Sequence, residues 1–285
     1  MEFSWYFTKG IAKEGEREAI LDFCVILGER RGRSPAIVTT RKRGLLGAGN
    51  GETGAGSGEP GDLNLSLRTG NDTKNVRRNR ELLLRALGLR DDELARPEQV
   101  HGGLILVADA PGEYGDADGL VVSNPGLWTA ILVADCVPVF VFSKDFSAVG
   151  LAHAGRKGTE AGITENLIKQ VKCTFHLPSH ELIVALGPSI GPCCYELDSA
   201  TASQLPQRFI AERDGKIFFD LWNANAAQAA QEGIPRENIV MPPVCTCCRE
   251  DLFFSHRAQR GKAGRQMAIT RPGGIDVGGS ASRAA

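Results

Sequence analysis

Between Val100 and Cys194 the chain repeats one pattern, a short apolar run followed by a turn, and a single helical segment interrupts the series. The runs are Leu104 to Val107, Gly119 to Ser123, Trp128 to Ala134, Val137 to Phe142, Ala148 to His153 and Leu182 to Leu186. Short runs rich in Val, Ile and Phe and bounded by turn residues read as strands. The interrupting helix is Thr159 to Lys172, with Ile163, Leu167 and Val171 at four-residue spacing. Many strands with so few helices between them exclude a regular βαβ array. The expected class is therefore α+β, mixed β-sheets with helices on their outer faces.

Outside this region the periodicity is weaker. Arg17 to Leu27 reads as a helix with Ile20, Phe23 and Cys24 on one face, and Ala36 to Thr40 as a strand ending in the solvated run Arg41-Lys42-Arg43. The glycine-rich stretch Leu45 to Gly61 reads as a mobile surface loop, with no GxGxxG opening a helix to bind a dinucleotide. Asp62 to Thr69 resumes as a strand. Asn71-Asp72-Thr73 then caps a helix from Lys74 to Leu87, stopped by Gly88, with Val76, Leu83, Leu84 and Leu87 forming its apolar stripe. Arg80 lies within about one turn of that stripe, unlike the solvent-facing Arg77, Arg78 and Arg85. The last third offers a strand Lys216 to Leu221, a helix Asn223 to Gln231 and a strand Asn238 to Met241. No linker divides the chain, so residues 1 to 272 are expected to form one domain, followed by a disordered tail from 273 to 285.

Composition excludes several function classes. A formal net charge of -1 gives no basic field for nucleic acid or a membrane surface. No run approaches the roughly 18 apolar residues of a membrane span. The first residues acquire acidic side chains too early for a signal peptide, so a soluble cytoplasmic protein is expected. Eight cysteines in such a chain read as free thiols or metal ligands rather than disulfides.

Chemistry concentrates between Val133 and Thr159. Cys136 stands between two apolar runs, and a third run delivers His153 into the turn Gly155-Arg156-Lys157-Gly158. His101 occupies a matching position before the run Leu104 to Val107. Two imidazoles and one thiolate suit a catalytic zinc with one open position, where a water's pKa falls to about 7. Alone, Cys136 reads as a buried hydrophobe. Asp116, Asp118 and Asp135 are the proton-transfer candidates closest in sequence, and the sequence does not choose among them; Gly115 and Gly119 equally permit a plain turn around Ala117. The turn Gly155 to Gly158 opens a helix, so its backbone N–H groups, with Arg156 or Lys157, are candidates for phosphate binding. His256 is either a substrate contact or a structural histidine; His176 and His180 fall in a polar loop and read as incidental. Cys193-Cys194 and Cys245-Cys247-Cys248 offer a second zinc site as one reading, but adjacent cysteines chelate poorly compared with C-x₂-C, which occurs only in the overlap Cys245 to Cys248. Buried or surface thiols are the preferred reading.

The blocks LNLS at Leu63 to Ser66, NRELLLRALGL at Asn79 to Leu89 and QVHG at Gln99 to Gly102 together resemble the YfiH-like, laccase-domain family. So do DADGLV at Asp116 to Val121, ADCVPV at Ala134 to Val139, HAGRKGT at His153 to Thr159, GPSIGPCCYEL at Gly187 to Leu197, FFSHR at Phe253 to Arg257 and GRQMA at Gly264 to Ala268. That family was once called multicopper polyphenol oxidases and is now regarded as purine nucleoside phosphorylases. The resemblance implies phosphorolysis of adenosine, inosine and S-methyl-5'-thioadenosine with accompanying adenosine deamination. It implies zinc on His101, Cys136 and His153, and sheets packed as a sandwich. Purine nucleosides and phosphate are then the expected partners, with no protein partner. The chain departs from the family at Arg156-Lys157, where an aromatic followed by arginine is usual; Lys157 keeps charge without the fork of a guanidinium.

Two other classes use the same residues. A metal-free hydrolase would take Cys136 as nucleophile and His153 as its base. A copper oxidase of phenols needs more histidines than the five present and repeated H-x-H pairs that are absent; copper in the zinc site is expected only as adventitious loading.

Overall fold

A computed structural model of the chain describes residues 4–14, 17–27, 33–46, 62–69, 72–242, 244–276 and 282–283. Two sheets dominate it. In the eight-stranded sheet the order is Ser282–Arg283, Ser4–Glu14, Arg17–Leu27, Ile37–Leu46, Gln266–Thr270, Trp128–Val133, Leu94–Pro97 and Gly112–Tyr114. In the six-stranded sheet it is Ile239–Val240, Leu182–Leu186, Val137–Ser143, Val149–Ala154, Gly119–Val122 and Ile105–Ala108. Both mix parallel and antiparallel pairs.

The strands lack the apolar–polar alternation of a solvated sheet because both faces are covered. Successive side chains point to opposite faces, so each strand feeds two cores. From Val137–Ser143, Phe140 and Phe142 enter the core between the sheets, whereas Val137, Val139 and Val141 face the opposite way. The larger sheet divides likewise: Ile131 and Val133 point toward the inter-sheet core, Trp128 and Ala130 away from it. Helices close the outer layers. Helix α1 (Thr73–Ala86) covers the larger sheet through Leu83. On the smaller sheet lie α2 (Arg156–Glu160), α3 (Ile163–Phe175), α4 (Ser199–Ala202) and α5 (Leu221–Gln231) with a three-stranded sheet. Ile163, Leu167, Ile168 and Val171 of α3 are fully buried there. The architecture is thus the expected α+β sandwich with helices outside.

Several local expectations are corrected. Arg17–Leu27 is a strand rather than a helix, paired with Ser4–Glu14 from Ser4↔Leu27 to Glu14↔Arg17. Pairing with strands on both sides outweighs a run whose apolar spacing suits either period. Asp62–Thr69 is not a strand but an irregular segment that ends in a turn at Leu67 and Arg68. Its Leu63 N–H donates to Arg41 and its Leu65 N–H to Arg265, so it bridges separate partners instead of joining one ladder. Arg41 is not a solvated strand end: its guanidinium takes Asp62 bidentately at 3.1 and 2.8 Å and lies 5.2 Å from the Phe254 ring. The single helix expected from Thr159 to Lys172 is two, α2 and α3, broken at Gly162, whose φ of 72° is left-handed. The expected disordered tail is ordered at its start, where Ile275 is buried and pairs with Ser34. Of the expected mobile loop, residues 47–61 lie outside the described residues.

One buried polar knot joins the helices over the smaller sheet. Asn225, fully buried on α5, accepts from Thr164 Oγ1 at 2.7 Å and donates to Thr159 Oγ1 at 3.0 Å and to the Leu221 carbonyl at 2.8 Å. Asn225→Ala leaves both hydroxyls without their partner, at about 1–3 kcal/mol for each group stranded. Urea unfolding is expected to register a loss of that order, and a midpoint unchanged from the parent protein would refute the role given to the knot.

Candidate active site

Strand register brings the site together. Val137 pairs with Ala154, which sets the preceding Cys136 beside Gly155 at the mouth of the same antiparallel pair. Ala152 pairs with Gly119, and the His153 N–H donates to the Asp118 carbonyl at 2.7 Å, so Asp118 stands next to His153. His101 comes from the turn before Ile105–Ala108, a strand parallel to Gly119–Val122. Gln99 fixes that turn by acting as a further strand partner, exchanging two 2.8 Å bonds with the Leu132 backbone.

The result is that one ligand atom each from His101, Cys136 and His153 lies within 4.8 Å of the others. The imidazoles meet edge to face with centroids 4.7 Å apart. Burial grades across the set: His101 is exposed, Cys136 half-buried and His153 buried. His101 has a φ of 63° and Asp135 one of 83°, left-handed conformations unfavourable for side-chain-bearing residues and concentrated at functional sites. Gly155 is required by proximity, since a Cβ there would sit 3.0 Å from Cys136 Sγ and 3.5 Å from the His101 ring.

The three aspartates take separate roles. Asp118, with no exposed surface, accepts from the backbone N–H groups of Val100, His101 and Gly102 at 3.2, 3.0 and 2.6 Å and holds His153 Nδ1 at 2.9 Å. Burial opposes its charge, but the bonds from His153 and the backbone outweigh that and keep the carboxyl below its usual range. It orients the ligands and does not face the cavity. Asp135 does face it, while accepting from Thr246 Oγ1 and the Arg257 N–H, each at 2.7 Å. Asp116 is exposed and outside the cavity wall.

Cys136 and His153 perturb each other. Burial pushes the thiol up, yet the charge of His153 and hydrogen bonds from both imidazoles overcome it and bring Cys136 down to about 6. Burial likewise pushes His153 down, and Cys136 with Asp118 overcomes that, raising it to about 9. The opposed shifts favour a thiolate beside an imidazolium when no cation is bound. A soft thiolate, one imidazole oriented by a carboxylate through its other nitrogen and a second imidazole open to solvent fit a zinc-type ion.

These residues floor a cavity of 910 Å³. Its walls include Arg68, Arg80, Arg96, Arg156, Arg257 and Arg265. Arg68 pairs with Glu98, Arg96 with Asp91 and Glu113, and Arg156 with Glu160. Among the described residues, the Arg80, Arg257 and Arg265 guanidiniums hydrogen-bond only carbonyl oxygens, while Asp91 and Glu113 act on Arg80, and Asp135 on Arg265, only through space. The expected phosphate turn is accordingly redistributed: Arg156 lines the cavity, Lys157 is exposed away from it and Gly158 is packed against the Gly102 carbonyl. His256 lines the cavity, as does Tyr195, beneath the Arg257 guanidinium at 5.3 Å; Tyr195 carried no signal in the sequence. His176 and His180 are exposed outside it.

A family model described as multi-copper polyphenol oxidoreductase laccase matches residues 37–271. A purine nucleoside phosphorylase, YlmD, of Geobacillus stearothermophilus is 34% identical over 234 residues, covering 76% of this chain and 85% of that protein. A purine nucleoside phosphorylase of Deinococcus radiodurans is also 34% identical, over 220 residues, 76% of this chain and 84% of that protein. Among solved structures, YlmD from Geobacillus stearothermophilus superposes with a TM-score of 0.75 at 31% identity, covering 92% of this chain and 99% of that one. The YfiH protein of Bacillus licheniformis superposes with a TM-score of 0.74 at 28% identity over 87% and 96%.

Asp118→Asn replaces an acceptor of four hydrogen bonds by a group with one acceptor oxygen, and it loosens both imidazoles. Zinc affinity measured by chelator competition is expected to fall about 10–100-fold, the usual effect of losing such an orienting partner, with Asp116→Asn unchanged. Equal affinities for the two variants would sink this assignment.

Proposed function

The chain belongs to the multi-copper polyphenol oxidoreductase laccase family, and from that premise we propose that it is a zinc-dependent purine nucleoside phosphorylase. Adenosine, inosine and S-methyl-5'-thioadenosine are its proposed substrates, with deamination of adenosine accompanying phosphorolysis. The observation that carries the reading is a single cavity uniting a donor set of two imidazoles and one cysteine sulfur with guanidiniums whose hydrogen bonds go to carbonyl oxygens. Relatives named purine nucleoside phosphorylase support it.

In phosphorolysis a phosphate oxygen bonds to the sugar C1′, and the glycosidic bond breaks. The purine departs with the electron pair and is protonated. Arg80, Arg257 and Arg265 are suited to hold the anion, because a charge already bonded to neutral carbonyls gains from a phosphate without first losing a carboxylate. Arg156 can join them by exchanging its exposed partner Glu160. Tyr195, Ile190 and Leu221 supply the apolar surface that a purine ring needs. Asp135 is the carboxylate placed to exchange a proton with substrate, since it alone of the three candidates lines the cavity. When bound, zinc on His101, Cys136 and His153 would supply Lewis-acid polarisation at its open position. Asp118 keeps His153 Nδ1 engaged, which leaves Nε2 directed to that ion.

A second reading follows from the chain Asp118–His153–Cys136, which in the absence of metal has the makeup of a thiol hydrolase. Metal content separates the two, since activity that survives complete zinc removal belongs to the hydrolase.

Zinc-loaded protein incubated with adenosine, with and without phosphate, is expected to yield free adenine only when phosphate is present, and inosine in either buffer. Intact adenosine in both, read by mass, would overturn the proposal. Arg156→Ala is expected to weaken apparent phosphate affinity by about tenfold or more, the size of one charge-assisted bond, whereas Lys157→Ala leaves it unchanged.

A further inference from the structure

In sequence Cys193, Cys194, Cys245 and Cys248 read by preference as buried or surface thiols, but folding brings their sulfurs together, all within 4.8 Å of one another. Cys248 Sγ lies 3.5 Å from Cys193 Sγ and 3.4 Å from Cys194 Sγ, and all four are unpaired as disulfides. We propose that these four cysteines form a second, structural metal site that binds one zinc ion as a tetrathiolate.

Geometry distinguishes this from coincidence. Zinc–sulfur bonds of about 2.3 Å place the sulfurs of a tetrahedral site about 3.8 Å apart, close to the separations here. Four sulfurs confined within 4.8 Å enclose one ion and leave too little room for a polynuclear iron–sulfur cluster. Two chain segments supply the ligands. Cys245 and Cys248 have the two-residue spacing common in zinc sites. Adjacent Cys193 and Cys194 chelate poorly as a pair, yet they serve once the second segment holds the other half.

That segment is held independently of the thiols. Cys245 bridges in parallel to Ser189, the Thr246 N–H donates to the Ser189 carbonyl at 3.0 Å, and Trp222 Nε1 donates to Ser189 Oγ at 2.8 Å. The Gly191 N–H donates to Cys245 Sγ at 3.1 Å and so fixes the direction in which that sulfur points. These contacts preorganise the cluster, so that closing it orders little additional chain.

The site has a structural task. Cys194 is followed by Tyr195, and Cys248 leads toward His256 and Arg257, all three lining the cavity. Arg257 donates back to the Cys194 and Glu196 carbonyls at 3.3 and 2.9 Å. A tetrathiolate would therefore staple together the two segments forming one cavity wall. It lacks an open coordination position and would not itself touch substrate. The inference is independent of the reaction proposed above.

The test is native mass spectrometry of full-length protein purified with zinc and a reductant. His101→Ala/Cys136→Ser, which removes two of the three donors of the cavity site, is expected to retain one zinc per chain. Adding Cys245→Ser/Cys248→Ser is expected to abolish that remaining zinc. X-ray absorption on the His101→Ala/Cys136→Ser protein is expected to give four sulfurs at about 2.3 Å. Should that variant not fold, the unaltered protein decides: two zinc ions per chain with a sulfur-rich average shell, or one zinc in a shell of four sulfurs, support the site, and one zinc in a mixed nitrogen and sulfur shell overturns it. Iron in place of zinc, or a disulfide joining Cys248 to Cys193 or Cys194 in the reduced preparation, would also overturn it.

Discussion

The carboxylate of Asp118 is the point from which the candidate active site takes its shape. It is fully buried and receives four hydrogen bonds, three from consecutive backbone N–H groups and one from His153. A buried charge without such partners would be strongly unfavourable, so the fold must deliver those donors together. The donors come from the turn carrying His101 and from the end of Val149–Ala154. Satisfying one anion thus fixes both imidazoles, and strand register adds Cys136. The reactive side chains inherit their positions from an interaction that does not itself face the cavity.

Much of this was legible in the sequence. His101, Cys136 and His153 stood at run–turn junctions, and the structure places them within ligating distance of one another. The central strands were readable because covered sheets select continuous apolar runs. Arg17–Leu27 misled because its apolar positions also fit a helix, and only pairing on both sides decides the matter. Asp62–Thr69 misled in the other direction: its alternating apolar residues bond separate partners without belonging to one ladder. The division of labour among Asp116, Asp118 and Asp135 was not legible, since only burial and hydrogen-bond partners distinguish three similar carboxylates. Nor was it legible that Arg156 lines the cavity while its neighbour Lys157 lies exposed outside it, because two adjacent cations look alike until the helix sets their directions.

The cavity joins two electrostatic environments. Near the donor set, a thiolate and buried carboxylates favour a cation; around the walls, Arg80, Arg257 and Arg265 favour an anion. Asp135 connects them, since it precedes Cys136 and accepts from the Thr246 hydroxyl and the Arg257 N–H. Changes to the wall and changes to the donor set are therefore coupled through one carboxylate.

The long sequence separations in these contacts have a kinetic consequence. Asp135 and Arg257 are 122 residues apart, and Asn64 meets Arg265 across 201. Closing such loops carries an entropic cost that local contacts do not repay, so the junctions form after the sheets between them have assembled. The pocket is accordingly tied to distant parts of the chain, so its shape depends on the sheets between them rather than on any local segment.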